Sequence, residues 1–170
     1  QDQDYRITLM LFLAEYHRLV AECLIWKCDI NNVEVELEKA AMIYNQITNR
    51  DRYYIRYLYT SSFSKLIKGD YQGTFEDCEI LFKQARSDYD KSQILFYQSI
   101  AALKMSKNKK AAELSKKAYQ YALNIEAWLE AEEIKLIASM SGATDIEDNT
   151  ISNPFTKKWI VHVRDFIEKL

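Results

Sequence analysis

Two histidines and three cysteines are the side chains best suited to metal binding or nucleophilic catalysis in this sequence. His17 and Cys28 share one predicted helix but lie about 16 Å apart along its axis, and Cys23 points to another face. A zinc site needs its ligands at one point, and a nucleophile needs an adjacent base. We therefore predict no metal site, no cofactor and no catalytic residue. Cys23, Cys28 and Cys78 are expected to be small buried apolar residues.

Charged side chains recur at helical spacing in two places. These two sets are Glu126, Glu130 and Glu133, and Glu15, Arg18 and Glu22. The first set could bind a cation, although a solvated helix face explains it as well. The second set fits ion pairs between residues three and four positions apart on a wet surface. Neither pattern requires catalysis, and we expect that this chain is not an enzyme.

A basic cluster surrounds one predicted turn. It consists of Lys104, Lys107, Lys109, Lys110, Lys116 and Lys117, together with Glu113. A stacking platform for single-stranded nucleic acid needs aromatic residues among the lysines, and none alternates with these in the sequence. The formal net charge of −2 also argues against a nucleic-acid surface. We expect a solvated turn or a contact for an acidic partner, and no direct contact with nucleic acid.

The composition of the 170-residue chain restricts the fold that positions these residues. Hydrophobic residues make up 48% of it, enough for a core, whereas three glycines and one proline are too few for the turns of an all-β domain. The apolar runs are too short to cross a membrane. Because an odd number of cysteines fits no disulfide framework, we expect a cytoplasmic protein. The chain begins with glutamine, which favours a fragment of a longer protein.

Apolar residues recur with helical period along nearly the whole chain, which predicts an all-α fold. The predicted helices span residues 4–28, 33–48, 51–67, 71–86, 89–106, 108–124, 126–141 and 154–169. The short polar breaks between them leave room only for antiparallel neighbours. We predict a single helical-repeat domain over residues 1–170, with hairpins at about 4–48, 51–86, 89–124 and 126–170.

Two of the breaks introduce similar segments. The sequence GDYQGTFEDCEILF at 69–82 resembles the turn and second helix of a tetratricopeptide repeat, and KNKKAAELSKKAYQYA at 107–122 resembles the same part. This resemblance implies antiparallel hairpins that stack as a right-handed solenoid, since each hairpin buries its apolar face on the next. It also implies a concave groove, lined by the first helix of each pair, that binds a peptide or a protein segment.

By that resemblance, a set of aromatic and polar residues would line the groove. The predicted peptide-binding residues are Arg52, Arg56, Tyr59, Phe63, Gln93 and Tyr97. Tyrosine offers broad contact area, and arginine binds carboxylates through paired hydrogen bonds, a combination that suits an acidic peptide or a free carboxyl terminus. The alternative interpretation is that the tyrosines fill the seams between helices, with their hydroxyls outward.

The two ends of the chain differ from its middle. The segment LMLFLA at 9–14 is apolar on every side of its helix, so it needs burial on more than one face. We predict an interface at Leu9, Leu11 and Phe12, and a homodimer is one expected partner. The last helix carries an apolar stripe and is predicted to cap the stack. Its members are Phe155, Trp159, Val163, Phe166 and Leu170.

The leading hypothesis is therefore a helical-repeat module that binds a peptide or a protein segment. The lysine-, isoleucine- and tyrosine-rich helices are similar to the sensor halves of peptide-responsive regulators of the Rgg/PlcR type in Gram-positive bacteria. That resemblance implies a ligand-sensing and dimerising domain with a role in transcription. The alternative is a structural segment of a larger scaffold with no small ligand, whose apolar first helix is its contact surface.

Overall fold

The computed structural model describes residues 2–47, 51–143 and 154–170. These residues form eight α-helices and no strand, so the predicted all-α class is confirmed for the described part of the chain. The helices are α1 (Asp2–Trp26), α2 (Ile30–Tyr44), α3 (Asp51–Ile67), α4 (Tyr71–Gln84), α5 (Asp88–Lys104), α6 (Asn108–Asn124), α7 (Trp128–Met140) and α8 (Pro154–Lys169). In this described portion, no helix is long and apolar enough to span a membrane.

Several helices end in the same turn, which we call the recurring turn. After α1, the amide of Cys28 donates to the carbonyl of Ile25 (2.8 Å) and the amide of Asp29 donates to that of Leu24 (3.0 Å). This pair of bonds satisfies carbonyls that a helix end leaves without partners, and it requires a left-handed residue between them. Cys28 has that conformation, with φ of 56°. The same bond pair follows α5, α6 and α7, with Ser106, Glu126 and Gly142 as the left-handed residues.

The residue after the left-handed one begins the next helix. Asp29 has φ −89° and ψ 75°, Lys107 has φ −88° and ψ 58°, and Ala127 has φ −82° and ψ 73°. Asp70 follows the left-handed Gly69 with nearly equal angles, φ −84° and ψ 68°. The Asp70 carboxylate caps its helix by accepting a hydrogen bond from the amide of Gly73 at 2.9 Å. One local geometry thus connects helices at four places in the chain.

The chain divides into two compact units, Gln1–Lys68 and Gly69–Leu170. In unit 1, α1 packs along α2, and both contact α3. The residues of α2 that recur every three or four positions, among them Leu37, Ala40 and Tyr44, are buried. Ala14, Ala40 and Tyr44 form a core cluster, against which the half-buried Leu11 and Tyr57 pack. The unit boundary falls within the predicted hairpin 51–86.

Unit 2 is organised around α5. This helix contacts α4, α6 and α7, and every residue from Ser92 to Ala102 is buried. A helix that is buried all round belongs to the centre of a unit, in contrast to the amphipathic α6. Helix α8 contacts α7, and its last carbonyls accept hydrogen bonds from neighbouring helices. Tyr71 Oη donates to the carbonyl of Leu170, and Lys104 Nζ donates to that of Ile167 at 3.1 Å.

The apolar stripe predicted on α8 is only partly correct. Val163 and Phe166 are buried as expected, but Phe155 is exposed and Ile167 is buried in its place. The reason is that α8 packs mainly through its second half. Trp159 is half-buried, and its indole nitrogen donates to the Glu133 carboxylate on α7.

Candidate functional site

The predicted groove residues lie in both units. Arg56, Tyr59 and Phe63 are on α3 in unit 1, whereas Gln93 and Tyr97 are on α5 in unit 2. The side chain of Arg52 lies outside the described residues.

Burial limits what these residues can contact. Tyr59 is 2% exposed and Tyr97 is 1% exposed, and Phe63 and Gln93 are buried as well, so they offer a ligand almost no surface in this structure. Arg56 is half-buried. Their role in peptide binding stays a prediction.

A buried charge network lies between α1 and α3. Arg18 is 5% exposed, in contrast to the predicted wet surface. Its guanidinium donates to Glu15, to Glu22 (2.5 Å) and to the hydroxyl of Thr60 on α3 (3.1 Å). The predicted i,i+3 and i,i+4 ion pairs therefore form, but the expected exposure is wrong because α3 covers them.

Arg18 stays ionised although it is buried. Burial disfavours the charged form of Arg18, but the carboxylates of Glu22 and Glu15 more than offset this, so the pKa of Arg18 lies above its usual value. Thr60 supplies a further acceptor for the guanidinium. We conclude that Arg18 is a fixed charge that ties α1 to α3.

One atom of this network lacks a hydrogen bond. Glu15 Oε2 is buried without a hydrogen-bond partner, and Arg56 Nη1 lies 4.0 Å from it. Beside this network, the rings of Tyr44, Tyr54 and Tyr57 pack together with centroids 5.5–5.6 Å apart. Burial raises the pKa of the Tyr44 and Tyr57 hydroxyls, so both rings remain neutral at physiological pH.

The opposite side of α1 carries an exposed apolar surface, which we call the free face. Its residues are Tyr5, Leu9, Phe12, Leu13, Tyr16 and Leu19. Phe12 is 68% exposed and Leu9 is 50% exposed, whereas Leu11 turns toward the core cluster of unit 1. Of the three predicted interface residues, Leu9 and Phe12 are thus available to a partner. Leu11 is not part of this surface, because it packs against the Ala14–Ala40–Tyr44 core.

Small residues allow α1 to have two apolar faces. Ala14, Ala21 and Ile25 are fully buried on the core side, where the alanines permit close approach of α2. Along the free face, the spacing between successive apolar residues alternates between four and three positions. Starting at Tyr5, this spacing gives Leu9, Phe12, Tyr16, Leu19 and finally the exposed Cys23. This spacing is present in the sequence and extends the predicted interface beyond the LMLFLA segment to Tyr5, Tyr16 and Leu19.

The remaining chemical candidates have structural surroundings of their own. His17 Nδ1 lies 2.6 Å from a Glu36 carboxylate oxygen, and Lys39 bonds the other oxygen. Cys78 is buried as expected, but Cys23 and Cys28 are exposed, which corrects their predicted burial. Both lie on parts of α1 and its turn that neither α2 nor α3 covers. Among the described residues, no group of three histidine, cysteine, aspartate or glutamate side chains could hold a metal ion.

The other two predicted solvated surfaces, the glutamate stripe and the basic cluster, differ in outcome. Glu133 is buried and accepts a hydrogen bond from Trp159, so the proposed wet stripe is wrong at this residue because α8 covers it. In the basic cluster, Lys107, Lys109 and Lys110 are exposed. Lys107 Nζ lies 5.4 Å from the centre of the Phe75 ring, a cation–π contact that the sequence did not reveal.

Comparison with models of known protein families, with curated proteins and with solved structures finds no match to this chain.

Proposed function

We propose that this chain is a protein-interaction module of helical hairpins that binds an apolar helical segment along the free face of α1. The single observation that carries the proposal is the exposure of six large apolar side chains along one face of a continuous helix. A contiguous apolar surface of this kind is typical of an interaction site, whereas isolated exposed apolar residues are not. Apolar anchors at helical spacing are the usual way in which one helix binds another.

The charge network supports this proposal. Arg18, Glu15 and Glu22 hold α1 against α3, so the free face is presented on a helix that is fixed in position. A rigid surface loses less conformational entropy on binding than a flexible one.

The proposal includes a stacked, right-handed arrangement of the hairpins, as in tetratricopeptide repeats. The recurring turn supports it, because repeat arrays reuse one connection between successive helices. We also propose a cytoplasmic location, with which the exposed thiols of Cys23 and Cys28 agree. Direct contact with nucleic acid or a membrane is not part of the proposal.

The test uses a photo-reactive amino acid at the centre of the free face. We expect a benzoylphenylalanine at position 12 to form specific crosslinks in cells, since Phe12 already holds an exposed aromatic ring. The matched control carries the same group at position 42, because Met42 is 66% exposed on α2, away from the free face. Crosslinking at both positions alike, or at neither, would contradict the proposal.

A second candidate function is peptide sensing, in line with the resemblance to peptide-responsive regulators of transcription. The observation that favours it is Arg56 on α3, whose side chain is 25% exposed, so that part of a guanidinium able to bind a peptide carboxylate faces solvent. A pool of short peptides with free termini is a suitable probe. A ligand present at 100 times its dissociation constant stabilises the fold by about 2.7 kcal/mol, which a thermal melt detects. No shift with any pool would eliminate this candidate and leave the interaction module intact.

A further inference from the structure

We propose that the occupant of the free face is α1 of a second copy of this chain, packed in parallel and in register. This inference rests on the proposed function, because it names the partner of the same surface. It makes the protein a homodimer, held together by a short two-stranded coiled coil that forms on an already folded helix.

The spacing of the apolar residues is the first argument. Intervals of four and three repeat without interruption from Tyr5 to Cys23. This places one apolar row along about 27 Å of helix. Such a row matches a copy of itself, since each side chain of one helix fits between those of an identical helix. In register, Leu9 meets Leu9 and Phe12 meets Phe12 of the second copy. A smooth groove for an extended peptide would not need this periodicity.

The charges beside the row select the parallel direction. In coiled coils the residues that flank the apolar row decide the orientation of the helices. In a parallel pair, the Glu22 side chain, which is 25% exposed, lies opposite Lys27 of the second copy, just past the end of α1, and this contact occurs twice. In an antiparallel pair centred near Ala14, Arg6 would face Lys27. Opposite charges therefore meet in the parallel pair, and like charges meet in the antiparallel one.

The position of α3 agrees with this choice. Helix α3 lies on the side of α1 that carries Glu15 and Glu22, because Arg56 approaches Glu15 and Thr60 bonds Arg18. The other side, with Arg6, Leu13 and Lys27, is exposed. A parallel pair places the covered side of each helix against the open side of the other. An antiparallel pair would place both α3 helices on the same side, where they compete for space.

The first experiment measures self-association of the full 170-residue chain by sedimentation velocity over a wide range of concentration. We expect a monomer–dimer equilibrium in the wild type. The double variant Leu9→Glu, Phe12→Glu should raise the dissociation constant by at least about 100-fold, because dimerisation would bury unpaired carboxylates. Met42→Glu is the control, since it adds a glutamate at an apolar position as exposed as Phe12, and Phe12→Glu alone is its charge-matched counterpart; Met42→Glu should leave the constant within about threefold. A wild-type chain that stays monomeric, or equal effects of both changes, would overturn the inference.

The second experiment determines the orientation. In a Cys28→Ser background, mild oxidation should join Cys23 to Cys23 of the second copy, because equivalent residues of the apolar row come within disulfide distance only in a parallel pair. Cys23→Ser removes the crosslink. The variant Tyr5→Cys in the same background tests the antiparallel alternative. Disulfides between positions 5 and 23 would show an antiparallel pair and refute the parallel arrangement.

The two proposals can fail separately. If the photo-crosslink at position 12 joins this chain to a different protein and the chain alone is monomeric, the interaction module stands and the homodimer is refuted. If position 12 forms no crosslink above the control at position 42, both are refuted.

Discussion

Replacement of Arg18 by methionine is the most direct test of the network that holds α1. The guanidinium donates to Glu15, Glu22 and Thr60, and Arg18 is almost completely buried. Methionine keeps much of the length of the side chain but none of its donors. Removal of one partner of a buried ion pair costs about 3–5 kcal/mol, because the other charges stay behind unpaired. Both carboxylates keep some exposed surface. We therefore expect a loss near the lower limit, about 3 kcal/mol.

A double-mutant cycle separates this electrostatic cost from lost packing. Glu15→Gln alone should cost about 1 kcal/mol, since the Arg18 guanidinium then donates to a neutral amide oxygen in place of a carboxylate. In the Arg18→Met background the same change should cost nothing or stabilise the fold, because it removes a carboxylate that has lost its cation. The coupling free energy between the two positions should then be about 1–2 kcal/mol.

The assay must report unit 1 separately from unit 2. Urea-dependent hydrogen exchange of peptides from α1, α2 and α3 gives the free energy of opening for that unit. Arg6→Met is the control, because Arg6 is exposed on the same helix and its replacement should change stability by less than about 0.5 kcal/mol. A cost below about 1 kcal/mol for Arg18→Met, or additive effects in the cycle, would refute the buried network.

Three further predictions concern other parts of the chain. Gly69→Ala should destabilise the fold by about 1 kcal/mol in urea melts. The cost comes from backbone strain, because alanine is unfavourable at φ +78°, and not from a clash, because an added Cβ meets no other atom. An unchanged midpoint would contradict the left-handed turn. Trp159→Phe should cost about 1–2 kcal/mol and speed hydrogen exchange in α8, since the buried Glu133 loses a donor; protection that equals the wild type would exclude this contact. Hydrogen bonds from Lys39 and His17 hold the pKa of Glu36 below its ordinary 4.5. Its stabilising effect is therefore complete above that pH and is lost as the pH falls through the lowered value, so Glu36→Gln should flatten the acid limb of the stability profile.

The sequence predicted the helices well because their apolar residues keep one period over many turns. Polar breaks located the ends to within a few residues. It did not predict the recurring turn. Glycine marks the left-handed position at Gly142, but cysteine, serine and glutamate occupy it at Cys28, Ser106 and Glu126. Cysteine, serine and glutamate do not favour the left-handed conformation by themselves. The two hydrogen bonds of the turn stabilise it instead.

Burial of polar residues was the other feature that the sequence did not reveal. Charged residues at helical spacing normally indicate a solvated face, and this rule failed at Arg18 and Glu133. Each is also hydrogen-bonded to a residue far away in the sequence, Arg18 to Thr60 and Glu133 to Trp159. The same limit applies to Tyr97, which the repeat resemblance places on the surface of a groove. It is buried because α5 has neighbours on several sides, a fact of tertiary packing.

The buried network and the free face of α1 explain each other. A helix with apolar residues on two faces gains similar free energy whichever face it buries, so apolar burial alone does not fix its rotation about its axis. Arg18 removes this ambiguity. If α1 turned to bury Phe12, the guanidinium would leave Thr60, and Glu15 and Glu22 would lose their place beside α3. The network thus selects which apolar face remains outside. We infer that the Arg18→Met variant loses dimerisation as well as stability, although Arg18 lies outside the free face. A variant that is destabilised yet dimerises with unchanged affinity would show that packing alone orients the helix.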